Sequence, residues 1–345
     1  HIMTKNLKKN LSKKIAKIVI TTGDEAGVGP EIVLKALSSK DLPKDIEILI
    51  VGSKRNLIDT FSSLQSLGIK DLIDPNSLNI KDLNVSNFNI KIHSKESGNA
   101  SFFYLKHAIE IVKENPNSAL VTSPICKKSW ALAGHNYSGQ TELLAEACNC
   151  SNVGMLFTAK SPFTGWRFNT LLATTHIPLN KINTPLTKEL IRFKLDALSD
   201  FCRKFKEKPV LQIAGLNPHA GEEGKIGKEE QNLIIPALNE WKLDNPNIEL
   251  IGPTPPDSCW ISSKNAWNCS SRENNAPDGI LSFYHDQGLI PVKLIAFDEA
   301  VNTTLGLPFV RTSPDHGTAL DIACAFKARE KSMIASMNNA WLLSQ

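Results

Sequence analysis

Three histidines share one sequence context. His176, His219 and His285 each lie at or just beyond the end of an apolar run, Leu171–Thr175, Val210–Ala214 and Ile280–Phe283. Runs of this kind read as buried strands, and in open α/β sheets ligands bind beyond the carboxyl ends of the strands. Three imidazoles converging on such an edge would hold a divalent metal with positions left open for substrate, an arrangement that polarises a hydroxyl or carbonyl oxygen. Taken singly, each is more often a structural histidine bonded to a backbone carbonyl; the shared placement argues for a site. His93, His107 and His135 lack that placement and read as structural. His316 follows Asp315 in a glycine-bounded turn, where it would support a site.

The stretch Tyr284–Gly317 adds anion-binding chemistry. After His285 and Asp286, read as a glycine-containing turn, it supplies Lys293, Asn302 and Arg311 and closes on Asp315-His316-Gly317. Lys293 and Arg311 both sit in apolar surroundings, Pro291-Val292 and Phe309-Val310, which favours a job over a surface charge. Arginine offers a planar fork to phosphate and lysine a point charge. With the Thr141 hydroxyl and the Asn302 amide they would make a phosphate cradle.

Elements must carry these groups. Ile15–Thr21 reads as a strand, Thr22–Gly29 as a glycine-rich turn able to place amides around an anion, and Pro30–Leu37 as a helix. The glycine spacing is not the dinucleotide fingerprint, and the strand Ile46–Val51 ends in Gly52-Ser53 where that fold wants an acid for the ribose. A nicotinamide cofactor would therefore be held some other way, by residues the sequence does not assign. Residues 68–92 read as surface loops and edge strands, Gly98–Val112 as a helix, and Ala119–Pro124 as a strand and turn before Lys127. Gly139–Glu142 opens a helix to Ala147. Thr187–Phe205 has strong helical spacing, and Glu229–Trp241 reads as a helix interrupted near Pro236. Ile248–Ile251 is a strand leading to Asp257, Ser262–Asn275 an exposed loop, and Thr318–Arg329 a C-terminal helix. Strands alternating with helices at this spacing predict an α/β protein with a mainly parallel sheet.

Composition narrows the class. A chain of 345 residues, 41% hydrophobic and 21% charged, is expected to form two domains of an ordinary globular enzyme. No segment reaches the ~20 apolar residues of a membrane span. The net charge of +4 is modest, with much of it in Lys5, Lys8, Lys9, Lys13, Lys14 and Lys17, and reads as a solvated terminus rather than a nucleic-acid arm. No apolar core of a signal peptide follows those lysines, and His1-Ile2 before Met3 reads as a cloning remnant. Seven cysteines without a CxxC pair read as reduced thiols in a cytoplasmic protein.

The segments TTGDEAGVGPEI, LLATTHIPL, GLNPHAGE, YHDQGLIPVK and VNTTLGLPFVRTSPDHGTALDIA together resemble the 4-hydroxythreonine-4-phosphate dehydrogenase family of pyridoxal phosphate biosynthesis, nearly end to end. The resemblance implies a homodimer of two α/β/α domains around a central cleft, isocitrate/isopropylmalate dehydrogenase-like. The domains would be 3–135 with 316–345, and 136–315. It implies a divalent metal, zinc, magnesium or cobalt, held by His176 and His219 of one subunit and His285 of the other. Gln140, Thr141, Lys293, Asn302 and Arg311 would contact the phosphorylated substrate, with Asp257 and Lys127 in acid/base or cleft roles. The chain departs from the family where Gln140 replaces a titratable histidine, where Glu25 stands in place of proline, and in extra residues around 161–169 and 262–275.

The activity so implied is NAD- or NADP-dependent oxidation of 4-phosphooxy-L-threonine at C3, then decarboxylation to 3-amino-2-oxopropyl phosphate. Two alternatives keep the residues: the same chemistry on a related acid such as 4-phosphothreonate, or a non-catalytic metal- and phosphate-binding homologue marked by Gln140. Neither nucleic acid nor membrane is expected as a partner.

Overall fold

The computed structural model describes residues 16–83, 92–115, 117–269 and 275–345. The lysine-rich terminus, apart from Lys17, lies outside them. In the first half, β1 (Ala16–Thr21), α1 (Gly29–Leu37), β2 (Ile46–Gly52), α2 (Lys54–Ser66) and β3 (Ile80–Asp82) are followed by α3 (Lys95–Glu114), β4 (Ser118–Thr122), α4 (Lys127–Leu132) and α5 (Gln140–Ala147). The chain continues through β5 (Gly154–Lys160), β6 (Arg167–Leu172), α6 (Lys188–Arg203), β7 (Val210–Ala214), α7 (Ile235–Asp244), β8 (Glu249–Thr254) and α8 (Ile261–Asn268). It ends with β9 (Gly279–Ser282), α9 (His285–Ala296), β10 (Val301–Leu305), β11 (Val310–Pro314) and α10 (Lys331–Leu343).

The eleven strands among the described residues join one sheet, in the order β3-β2-β1-β4-β11-β10-β5-β6-β9-β7-β8. Pairing is parallel from β3 to β11 and from β6 to β8. The pairs β11–β10, β10–β5 and β5–β6 are antiparallel, so the outer strand sets run in opposite directions. Helices cover both faces: α1 and α10 pack on Ile18, Ile20 and Val121, α3 to α5 on Val19 and Leu120, and α6 and α7 on Leu156, Leu171 and Leu281. The α/β class and mainly parallel sheet read from the sequence are therefore present, with an antiparallel seam at the centre.

Local chemistry sets the helix starts. Thr187 accepts from the Leu190 amide at the head of α6, and Ser94 and Ser97 cap α3 reciprocally. The break read near Pro236 is a wide π-type turn, Glu230–Ile234, which runs into α7.

Several expectations need correction. The C-terminal helix is α10, not Thr318–Arg329; that segment turns irregularly, with Ala319 (φ 44°) and Phe326 (φ 52°) left-handed, a conformation that no helix of L-residues continues through. Within Ser262–Asn275 lies most of α8, which buries Ser263, Ala266 and Trp267 rather than forming an exposed loop; residues 270–274 fall outside the described set. His285 and Asp286 open helix α9 instead of occupying a turn. The glycine-rich turn Thr22–Gly29 is spent internally: the amides of Asp24, Ala26, Gly27 and Val28 donate to Pro124, Asp24 and Thr318.

Candidate active site

β6, β9 and β7 are parallel neighbours, so His176, His219 and His285 leave the same edge of the sheet, as their sequence context implied. Three hydrogen bonds tie the loops that carry them. Thr174 Oγ1 donates to the Phe283 carbonyl (2.6 Å), Gln287 Oε1 accepts from the Phe283 amide (2.8 Å), and Gln287 Nε2 donates to the Gly215 carbonyl (2.8 Å). Gly288 lets α9 lie tight against the strand ends: a Cβ there would come within 2.5 Å of Leu172 Cδ2 and Ser282 Oγ.

Within the chain the close pair is His176 and His285, ring centroids 5.3 Å apart. Asp286 Oδ1 lies 2.8 Å from His285 Nδ1, an arrangement that fixes the tautomer and leaves Nε2 as a ligand. Burial, then the Lys127 ammonium and the His285 ring, hold the His176 imidazole below its ordinary pKa, so it is neutral and able to donate a lone pair. The three histidines do not gather into a single cluster inside one chain among the described residues. The resemblance, by contrast, pairs His176 with His219.

His219 sits in an unusual segment. His219, Ala220, Gly221, Glu222 and Glu223 all have positive φ, between 43° and 83°, forming a short left-handed turn. Each non-glycine residue there costs about 1–2 kcal/mol, and strain of this kind persists only where the surroundings impose it. The buried Glu230 carboxylate is the anchor: it accepts from the Leu216 and Asn217 amides at 2.8 and 2.7 Å and from Asn217 Nδ2 at 2.9 Å.

Beside the histidines, a cleft of ≈ 460 Å³ crosses the face of β11, β10 and β5, from the end of β4 to the end of β6. Arg311, on β11, is its most telling residue. The residue is 3% exposed, and the four hydrogen bonds of its guanidinium go to the hydroxyls of Thr122 (3.2 and 2.7 Å), Thr141 (3.3 Å) and Thr304 (2.9 Å). Among the described residues none goes to a carboxylate. Burial pulls its pKa down to about 10, an effect Glu142 opposes. A buried cation without an ionic partner costs free energy, and an anion in the cleft would return it.

Other groups face the same space. Thr141 and Gln140 form the first turn of α5, whose N-terminus favours anions. Gln140 Nε2 donates to the Ser123 carbonyl (3.1 Å), and its Oε1 is buried without a hydrogen-bond partner among the described residues. The Oδ1 of Asn302 is likewise unpartnered. Lys127, at the start of α4, and His176 also line the cleft.

Two expected residues stand elsewhere. Lys293, on α9, lies 2.8 Å from the Asp315 carboxylate rather than beside Arg311; His316 and Gly317, which follow Asp315, do line the cleft. Asp257 is exposed beyond β8 and is not among the cleft residues.

Sequence reading missed Lys194. It is 4% exposed on α6, lines the cleft, and donates to the Val153 carbonyl at 2.9 Å. Burial lowers its pKa to about 8. The signal was available: Lys194 interrupts the apolar face of Leu190, Ile191, Leu195 and Leu198.

The family model described as "Pyridoxal phosphate biosynthetic protein PdxA" matches residues 44–340. A 4-hydroxythreonine-4-phosphate dehydrogenase of Synechococcus sp. (strain RCC307) is 48% identical over 327 residues, 94% of this chain and 99% of that protein. One from Aquifex aeolicus is 39% identical over 330 residues, covering 93% and 96%. The crystal structure of the Klebsiella pneumoniae 4-hydroxythreonine-4-phosphate dehydrogenase matches with a TM-score of 0.77 at 32% identity, covering 95% and 98%. A branched-chain phosphotransacylase from Enterococcus faecalis, at 12% identity and TM-score 0.54, shares the fold alone. Sequence and fold thus agree along nearly the whole length: the chain belongs to the PdxA family of pyridoxal phosphate biosynthetic proteins.

Proposed function

We propose that this oxidoreductase oxidises the C3 hydroxyl of 4-phosphooxy-L-threonine with NAD or NADP and releases CO2 to give 3-amino-2-oxopropyl phosphate. The observation that carries the reading is Arg311, a buried cation that faces the cleft and, among the described residues, gives no hydrogen bond to a carboxylate. Relatives that span the chain are named for a phosphorylated hydroxy amino acid.

The residues divide the work. Arg311 presents its fork to the phosphate, with the Thr141 hydroxyl and the N-terminus of α5 beside it. Asn302, rotated about its terminal bond, offers N–H donors to the same group, because its oxygen has no partner to lose. Gln140 Oε1 accepts from a substrate ammonium or hydroxyl; it cannot titrate, so proton transfer falls to other groups. Fixing the phosphate orients the C3–H bond, which lowers the barrier by holding a reactive geometry.

His176, His219 and His285 would hold a divalent metal across two subunits, since they do not cluster within one chain among the described residues. The first and last are adjacent, His285 is steered by Asp286, and all three leave one sheet edge. Imidazole donors suit zinc or cobalt, and positions filled by substrate oxygens also admit magnesium. When bound, the cation supplies a Lewis acid and the nicotinamide a hydride acceptor. The low pKa of His176 keeps it available as a ligand at neutral pH.

The reading includes a homodimer. Ile290, Leu294 and Phe297 form an apolar stripe along α9, 59%, 82% and 56% exposed, on the helix that carries His285 and Lys293. An exposed apolar stripe of this kind favours burial against another surface. The reading keeps two α/β/α domains, 3–135 with 316–345 and 136–315. No helix among the described residues is long and apolar enough to cross a membrane.

The test is turnover of 4-phosphooxy-L-threonine and 4-phosphothreonate in parallel, with CO2 and reduced cofactor both measured. Preference for the amino acid with one CO2 per reduced cofactor supports the reading. Preference for the threonate would move the substrate, and binding without either product would leave a non-catalytic homologue.

A further inference from the structure

A second group of metal-ligand types lies outside the histidine edge. Asp24 in the β1–α1 turn, His93 just before α3 and Cys126 at the head of α4 each bring one ligand atom within 4.8 Å of the others. Nothing in the proposed reaction uses them. The contact between His93 Nδ1 and Asp24 Oδ2 is 3.2 Å, yet Nδ1 is buried and makes no hydrogen bond in the described structure. Two ligands bound about 2.0–2.1 Å from a tetrahedral ion stand about 3.3 Å apart. The spacing is that of donors sharing one cation, without the angle of a hydrogen bond.

The outer partners are also in place. His93 Nε2 lies 3.0 Å from Thr318 Oγ1, which leaves Nδ1 as the donor atom. Asp24 Oδ1 accepts from the Ala26 amide (3.0 Å), and Oδ2 accepts from Ser97 Oγ at 3.3 Å. Such partners orient metal ligands and set their basicity. An N, O and S donor set suits zinc, with a fourth position left for water.

We propose that Asp24, His93 and Cys126 form a zinc site of three protein ligands and one water, separate from the three histidines. Its position gives it a role. Ile125 and Lys127, on either side of Cys126, line the cleft, as does Gly317 next to Thr318. A cation here clamps the β1–α1 turn, the start of α3 and the β4–α4 connection together, and so stiffens one wall of the cleft.

Cobalt substitution separates this site from the histidine edge, because only this one contains a thiolate. Full-length protein is stripped with chelator, refilled with Co(II), and examined for the near-ultraviolet thiolate-to-cobalt charge-transfer band and for metal content. The wild type and His285→Ala should show the band. Cys126→Ser and Asp24→Asn should lose it together with one equivalent of metal, while near-ultraviolet circular dichroism shows them folded. Zinc should also slow alkylation of Cys126 in the stripped wild type. Absence of the band in the wild type, or unchanged metal content in Cys126→Ser, would overturn the proposal and leave an Asp24–His93 pair beside an ordinary thiol. If Cys126→Ser fails to fold, the alkylation result in the wild type decides.

Discussion

Replacing Arg311 with methionine separates a binding cation from a structural one. The side chain keeps its length and loses its charge. Burial pulls the guanidinium down to about 10, which corresponds to about 3 kcal/mol of cost without an anion at neutral pH. Against this stand hydrogen bonds to three threonine hydroxyls, each contributing about 1 kcal/mol. The two nearly cancel, so the ligand-free variant should melt close to the wild type. With ligand the balance tips. An anion that relieves about 3 kcal/mol gives about 10²-fold in affinity, and Arg311→Met should lose that factor in kcat/KM, mostly through KM. Steady-state kinetics read the loss, and thermal melts with and without inorganic phosphate read the binding. Wild type should be stabilised by phosphate and the variant should not. A variant that unfolds well below the wild type yet still gains stability from phosphate would refute this reasoning, because Arg311 would then be holding the fold and not the ligand.

The buried ionisable groups give further expectations. Burial pushes the Glu25 carboxyl from 4.5 up to about 7 against the Thr22, Ser53 and Tyr104 donors. Its folded pKa is raised, so its contribution is most favourable below the unfolded value and is lost as pH rises through about 7. Glu25→Gln should therefore gain stability on the wild type by about 3 kcal/mol between pH 4.5 and 8 in urea titrations. Lys194 has the opposite slope: its folded pKa is lowered from 10.5 to about 8, so the penalty is complete below pH 8 and fades as pH rises through 10.5. Lys194→Met should be about 2 kcal/mol more stable at pH 7, after subtracting about 1 kcal/mol for the bond to Val153, with the gain vanishing near pH 10.5. Gly288→Ala forces a methyl against Leu172 and Ser282; it should lower stability by about 1–3 kcal/mol and weaken metal binding in calorimetry by displacing His285 from His176.

Much of the site was legible because its signals are local. A strand pattern ending on histidine marks the sheet edge whatever the rest of the chain does, and three such patterns located one edge. Arg311 was marked by its apolar neighbours. The failures came where long-range pairing overrides local pattern. β10 (VNTTL) and β11 (VRTSP) are short and polar, and they become strands because they fill the seam between the two outer strand sets. Thr318–Arg329 carries helical spacing, but two left-handed residues break it. In α8, Trp267 looked like part of a polar loop until its burial was set by packing beside Phe168 and Leu289. Lys194 was missed because a lysine on an amphipathic helix is usually solvated. The contact of Lys293 with Asp315 pairs groups that are 22 positions apart in sequence, beyond anything spacing reveals.

In the proposed reaction the cleft binds a phosphorylated hydroxy amino acid, and a nicotinamide cofactor oxidises it. Formation of NADH or NADPH by purified protein with divalent metal, from 4-phosphooxy-L-threonine and from the same amino acid without its phosphate, tests it most directly. Reduced cofactor is expected from the phosphorylated compound only, with the signal lost in His285→Ala. Equal turnover of both compounds, or no signal above the His285→Ala background, would contradict it.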